Sequence, residues 1–112
     1  MDLTYRIRGG IPLKGDIDIS GSKNAALPLI AATVLAEGET ILRNVPDLRD
    51  TRAMIAILDF LGAETLFEHN TLRVRADKIQ NKPIPSEYVS KIRGSIVLVG
   101  PLLARFGVVE MA

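Results

Sequence analysis

Ser20-Gly21-Ser22-Lys23-Asn24-Ala25-Ala26-Leu27-Pro28-Leu29-Ile30-Ala31-Ala32-Thr33-Val34-Leu35-Ala36 is the stretch that decides the fold. Serine ahead of a run of good helix formers caps a helix start, and Glu37-Gly38 gives a glycine stop, which predicts a helix over about Ser22 to Ala36. Its apolar residues leave almost no polar face, so it needs cover on both sides. Pro28 inside the helix cannot donate to the carbonyl of Asn24. That carbonyl is then either free for a ligand or water, or the proline simply kinks the helix into a crowded core.

Upstream, Tyr5 to Arg8 and Asp16 to Ile19 alternate polar and apolar residues around Gly9, Gly10, Pro12 and Gly15, which predicts two short strands. Downstream, Glu39 to Arg43 reads as a strand. A second helix follows, with Asp47 as its cap after Pro46, Met54, Ile57, Leu58 and Leu61 on one face, and Arg49, Arg52 and Asp59 opposite. Gly62 ends it. Glu64 to Glu68 and Thr71 to Arg75 flank His69-Asn70, a pair tolerant of positive φ, so a tight hairpin is expected with Leu72 and Val74 facing the core. Ala76 to Ser86, with Pro83 and Pro85, is a connector. Val89, Ile92, Ile96, Val99, Leu103 and Phe106 then fall on one helical stripe, and Val108 to Met111 is expected to begin another strand.

The opening stretch has an echo. Gly21-Ser22 recurs as Gly94-Ser95, Pro28-Leu29 as Pro101-Leu102, and Ala31 as Ala104, all at one offset. The chain therefore reads as one α/β unit followed by the opening of a second. Two helices apolar on nearly all sides exceed what one small sheet can cover. Either copies assemble, or the chain is the front section of a larger protein.

The rest of the composition narrows the chemistry. The 112 residues carry 14 Lys and Arg against 13 Asp and Glu, a net charge of +1, which leaves no electrostatic footprint for nucleic acid or a membrane surface. There is no cysteine and one histidine, so neither a thiolate nucleophile nor a conventional zinc site is expected. The first ten residues carry two arginines and no apolar core, unlike a secretory signal, and the apolar runs Ala25 to Ala36 and Ile96 to Ala104 fall short of a bilayer span. A cytoplasmic location is expected.

Local motifs are few. Gly10 to Gly15 has the glycine spacing of a phosphate loop, but Asp16 stands where its lysine belongs. Lys23 is more informative, because a helix start attracts anions and a cation there is misplaced unless an anion arrives. It marks a phosphate or carboxylate site, or else it is a solvated lysine beside an ordinary serine cap. Arg93, one turn before the last apolar stretch, aims a planar fork at an anion or is a snorkelling arginine. Pro101 would free the carbonyl of Val97 as Pro28 frees that of Asn24. His69 reads as a turn residue, and no carboxylate pair stands out as acid and base.

Asp16-Ile17-Asp18-Ile19-Ser20-Gly21-Ser22-Lys23-Asn24-Ala25-Ala26-Leu27-Pro28 closely resembles the start of the enolpyruvyl transferases, in the branch that acts on UDP-N-acetylglucosamine. The likeness continues through Asn44-Val45-Pro46, Leu61-Gly62-Ala63, Arg93-Gly94-Ser95 and Gly100-Pro101-Leu102-Leu103-Ala104-Arg105-Phe106-Gly107, and covers the whole chain. The sister branch, which uses shikimate 3-phosphate, also has Gly-Ser-Lys near its start but is less similar after Asn24.

The resemblance implies an α/β fold of repeated βαβαββ units in an inside-out barrel, helices inside and sheets outside. It divides the chain into residues 1–20, strands that pair with a second domain, residues 21–86, a first repeat unit, and residues 87–112, the start of the next. It implies that Lys23 and Asn24 contact phosphoenolpyruvate and Arg93 contacts UDP-N-acetylglucosamine. Lys23 would hold and polarise the substrate, Asn24 would position a hydroxyl or the tetrahedral intermediate, and Arg93 would fix the nucleotide sugar. The family's proton-donating cysteine would lie beyond Ala112, so no catalytic residue is assigned, and the 112 residues alone are expected to be inactive. The reading from another class is a self-assembling structural module without catalysis, motivated by the uncovered apolar helices.

Overall fold

The computed structural model describes residues 2–112, in the order α1 (Lys23–Ala32), β1 (Glu39–Leu42), α2 (Arg49–Leu61), β2 (Glu64–Glu68), β3 (Thr71–Arg75), α3 (Ser86–Val89) and α4 (Val99–Phe106). Short 3₁₀ segments follow α1 at Thr33–Leu35 and precede α4 at Arg93–Leu98. The mixed α/β class is as expected. The three strands form one antiparallel sheet in the order β1-β3-β2.

Alternation sets which face of the sheet is buried. Leu42, Leu72 and Phe67 lie side by side across the three strands, as do Thr40, Val74 and Thr65. These are the inner rows, and Leu72 and Val74 of the central strand are fully buried. Glu39, Arg75 and Glu64 form one outer row, and Ile41, Arg73 and Leu66 the next, all exposed. The helices therefore cover one face of the sheet only.

The face of α2 reads as expected: Met54, Ile57, Leu58 and Leu61 are fully buried, while Arg49, Arg52 and Asp59 are exposed. Gly62 ends the helix at φ 108°, the left-handed geometry that favours glycine. His69 and Asn70 make the hairpin turn at φ 51° and 55°. Ile30 and Val34 from the α1 stretch and Leu98 from the second 3₁₀ segment complete the core.

Four expectations are corrected. Residues 2–21 form no strand: Tyr5, Ile7, Ile17 and Ile19 are more than 80% exposed, so the alternating pattern finds no sheet edge, and the leading strand of the βαβαββ unit is not formed. Met1, the first residue of the expected 1–20 segment, lies outside the described residues. This arm stretches the molecule to 57 × 31 × 20 Å, with a radius of gyration of 17.0 Å, against about 13 Å for a compact domain of this length.

Asp47 does not cap α2. The capping position is Leu48, whose N–H donates to Thr51 Oγ1 at 3.0 Å, while Asp47 turns outward to a two-pronged pair with Arg52. The long last helix is broken, because Ile92 is extended at φ −143°. Its buried residues are Ile92, Ser95, Leu98 and Leu102, whereas Ile96 and Leu103 are 65% and 48% exposed. Pro101 falls in the first turn of α4, where its missing N–H costs little, so it helps start that helix instead of breaking a longer one. Val108 to Met111 contributes only a single parallel bridge, Met111 to Ile84.

Candidate functional site

The site is built where two helix starts hang from one loop. Ser22 caps α1, its Oγ accepting from the Ala25 N–H at 3.3 Å. Gly21 lies so close to the Asn44 carbonyl and the Pro46 ring that a Cβ would collide with both. Asn44 takes φ 56°, and the Val45 N–H donates to the Asn70 carbonyl at 2.8 Å while Asn70 Nδ2 donates back to the Val45 carbonyl at 3.0 Å. Thr51 Oγ1 donates to the Pro46 carbonyl at 2.7 Å, which fixes where α2 begins. The separate motifs Ser20-Gly21-Ser22 and Asn44-Val45-Pro46 are thus one three-dimensional feature.

Lys23 is the first residue of α1, and its Nζ lies 3.2 Å from Asp50 Oδ2, on the first turn of α2. The cation at the α1 start therefore has an anion within the chain. The two side chains keep 47% and 31% of their exposure, so the pair lies at the surface and open to solvent. Asn24 is exposed beside it.

Arg93 is also exposed, at the start of the second 3₁₀ segment. Its neighbour Gly94 packs on Leu27, where a Cβ would meet Leu27 Cδ1 at 2.7 Å. Leu27 follows Lys23 by four residues and Asn24 by three, so all three share one flank of α1, and the Arg93-Gly94-Ser95 segment docks there. Arg93 itself opens onto an apolar-lined cavity of about 570 Å³ with Ile92, Ile96 and Val99, while Lys23 and Asn24 stand on open surface. The three residues come from adjoining elements without sharing that cavity.

Pro28 is exposed and α1 runs through it to Ala32, so it does not relieve a crowded core. Asp50 was not among the residues singled out from the sequence, because a contact between two helix starts leaves no spacing signal. Nor was Arg105, which donates to the carbonyls of Val34 and Ala76, both at 2.7 Å, and has a structural task. Among the described residues no three His, Cys, Asp or Glu side chains gather as a metal site, and no helix is long and apolar enough to cross a membrane.

The family described as EPSP synthase (3-phosphoshikimate 1-carboxyvinyltransferase) matches residues 7–112. A UDP-N-acetylglucosamine 1-carboxyvinyltransferase of Methylacidiphilum infernorum is 50% identical over 103 residues, covering 92% of this chain and 24% of that protein. The protein of the same name from Sorangium cellulosum is 50% identical over 104 residues, covering 93% and 25%. The crystal structure of the enolpyruvyl transferase NikO from Streptomyces tendae superposes with a TM-score of 0.77 at 29% identity, covering 90% of this chain and 24% of that one. The chain thus spans about a quarter of the length of the relatives it matches.

Proposed function

This chain belongs to the EPSP synthase (3-phosphoshikimate 1-carboxyvinyltransferase) family, and we propose that it forms part of an enzyme that transfers enolpyruvyl from phosphoenolpyruvate to the 3′-hydroxyl of UDP-N-acetylglucosamine. The observation that carries this reading is 50% identity, over nine-tenths of the chain, to proteins named for that reaction. The reaction would serve peptidoglycan precursor synthesis in the cytoplasm, with phosphoenolpyruvate and UDP-N-acetylglucosamine as substrates and no metal or organic cofactor.

Phosphoenolpyruvate carries a phosphate and a carboxylate, which suits an ammonium group beside helix N–H groups. In the proposed reaction the sugar hydroxyl gives up its proton as its oxygen bonds to C2 of phosphoenolpyruvate and the methylene carbon takes a proton, giving a tetrahedral intermediate with a methyl group. Loss of one methyl proton and of inorganic phosphate restores the double bond. Lys23 holds and polarises the phosphoenolpyruvate, Asn24 positions the hydroxyl or the intermediate, and Arg93 holds the nucleotide sugar. The proton donor is assigned to none of the 112 residues. Residues 1–20 would pair with a second domain, 21–86 would form one repeat unit and 87–112 the start of the next.

The test is phosphate release from phosphoenolpyruvate by the full-length enzyme carrying this sequence. Release is expected with UDP-N-acetylglucosamine, and it should fall at least about a hundredfold in Lys23→Ala. The 112 residues alone should release none. The description of the matching family favours one second reading, with shikimate 3-phosphate as acceptor. Turnover with that acceptor and not with the nucleotide sugar would replace the first reading.

A further inference from the structure

We infer that Asp50 is a positioning residue for Lys23, holding its ammonium group where the phosphoenolpyruvate anion binds; this rests on the functional reading above. The observation is the 3.2 Å contact between Lys23 Nζ and Asp50 Oδ2 across two helix starts. A lysine at the first position of a helix faces the positive end of the helix dipole, and its four-carbon stem is flexible. An aspartate in the first turn of a helix has the opposite situation, since the N-terminal N–H groups favour its charge. Asp50 is therefore an anchored anion and Lys23 a mobile cation, and the contact fixes the cation.

The anchor is itself placed. Gly21 against the Asn44 carbonyl locates the start of α1, and Thr51 Oγ1 on the Pro46 carbonyl locates the start of α2, so one loop sets the separation of the two helix starts. An ammonium group has three N–H donors. One directed at Asp50 leaves two for a phosphate or carboxylate, and the pair is exposed enough for such an anion to reach it. An exposed ion pair adds little to folding stability. Removing the Asp50 charge should therefore act on substrate binding and leave the fold intact.

The experiment uses the full-length enzyme carrying this sequence with Asp50→Asn, Asp50→Glu, Lys23→Ala and the double variant Lys23→Ala/Asp50→Asn. Asp50→Asn should raise KM for phosphoenolpyruvate about tenfold, leave KM for UDP-N-acetylglucosamine and the melting temperature unchanged, and be partly rescued by Asp50→Glu. In the Lys23→Ala background, calorimetry with phosphoenolpyruvate should show no further loss from Asp50→Asn. An unchanged or lower KM for phosphoenolpyruvate in Asp50→Asn overturns the inference, the lower value meaning that Asp50 competes with the substrate for Lys23. So does an equal loss in both backgrounds, or a rise in both KM values with a lowered melting temperature. A wild-type enzyme that forms no enolpyruvyl product overturns the functional reading and this inference with it, whereas an active wild type with an unimpaired Asp50→Asn overturns this inference alone.

Discussion

A Cβ at Gly21 would sit inside the van der Waals envelope of the Asn44 carbonyl oxygen, and neither that backbone carbonyl nor the rigid Pro46 ring beside it can turn aside. A Cβ at Gly94 meets only the tip of Leu27, 2.7 Å away, which a rotamer change can move. Gly21→Ala is therefore expected to destabilise by about 1–3 kcal/mol and Gly94→Ala by clearly less. Thermal melts of the two variants check this, and equal losses would contradict it. The sequence placed both glycines in repeated Gly-Ser pairs but could not rank them, because what they pack against lies more than twenty residues away in one case and more than sixty in the other. Lys23 stood out by charge at a helix start, yet Asp50 did not. A carboxylate in the first turn of a helix is so ordinary that only the fold shows what it faces.

Between elements, Asp77 ties the entry of β1 to the exit of β3. Its Oδ1 accepts from the Gly38 N–H at 3.0 Å and its Oδ2 from Arg75 at 3.3 Å. The Gly38 hydrogen bond holds its carboxyl below the usual carboxylate pKa; burial opposes that shift, and Arg75 and Arg105 add lesser lowering effects. A pKa depressed on folding means that the stabilisation is fully present above the unfolded value, about 3.9, and is lost as pH falls through the lower folded value. Melting temperature should therefore fall below about pH 4 less steeply in Asp77→Asn than in the wild type. Identical slopes would show that this tie contributes nothing. The elements with a single clear face, α2 and the hairpin, were legible because their apolar spacing matched their period. The last helix was not, since a segment apolar on every side gives no phase, and the extended Ile92 splits it. No side chain takes the capping task expected of Asp47, whose carboxylate found Arg52 instead; Thr51 Oγ1 accepts the Leu48 N–H just ahead of the helix.

For the whole molecule, one sheet covers one layer of helix and the remaining apolar surface stays outside. Leu29, Leu35, Ile96 and Leu103 are each about half exposed or more, and the arm adds Tyr5, Ile7, Ile17 and Ile19. That excess was legible from the apolar stretches themselves. The failure of residues 2–21 to form strands was legible only through the resemblance, which pairs them with a second domain, because alternation alone predicts a strand only where an edge receives it. Isolated, the 112 residues should associate, and light scattering at rising concentration should report species larger than a monomer. Ile96→Glu with Leu103→Glu should reduce that association, while a monomer at every concentration would mean that the exposed residues are too dispersed to drive it.

Arg105 has a consequence in time. Its guanidinium bonds the carbonyls that end the α1 stretch and β3, at Val34 and Ala76. A chain leaving the ribosome exposes the sheet, α1 and α2 first, before Arg105 can reach those two carbonyls. They are taken up only once Arg105, 29 residues beyond Ala76, has emerged. During synthesis, therefore, the unit exists first in an unlatched form, which Arg105 closes later.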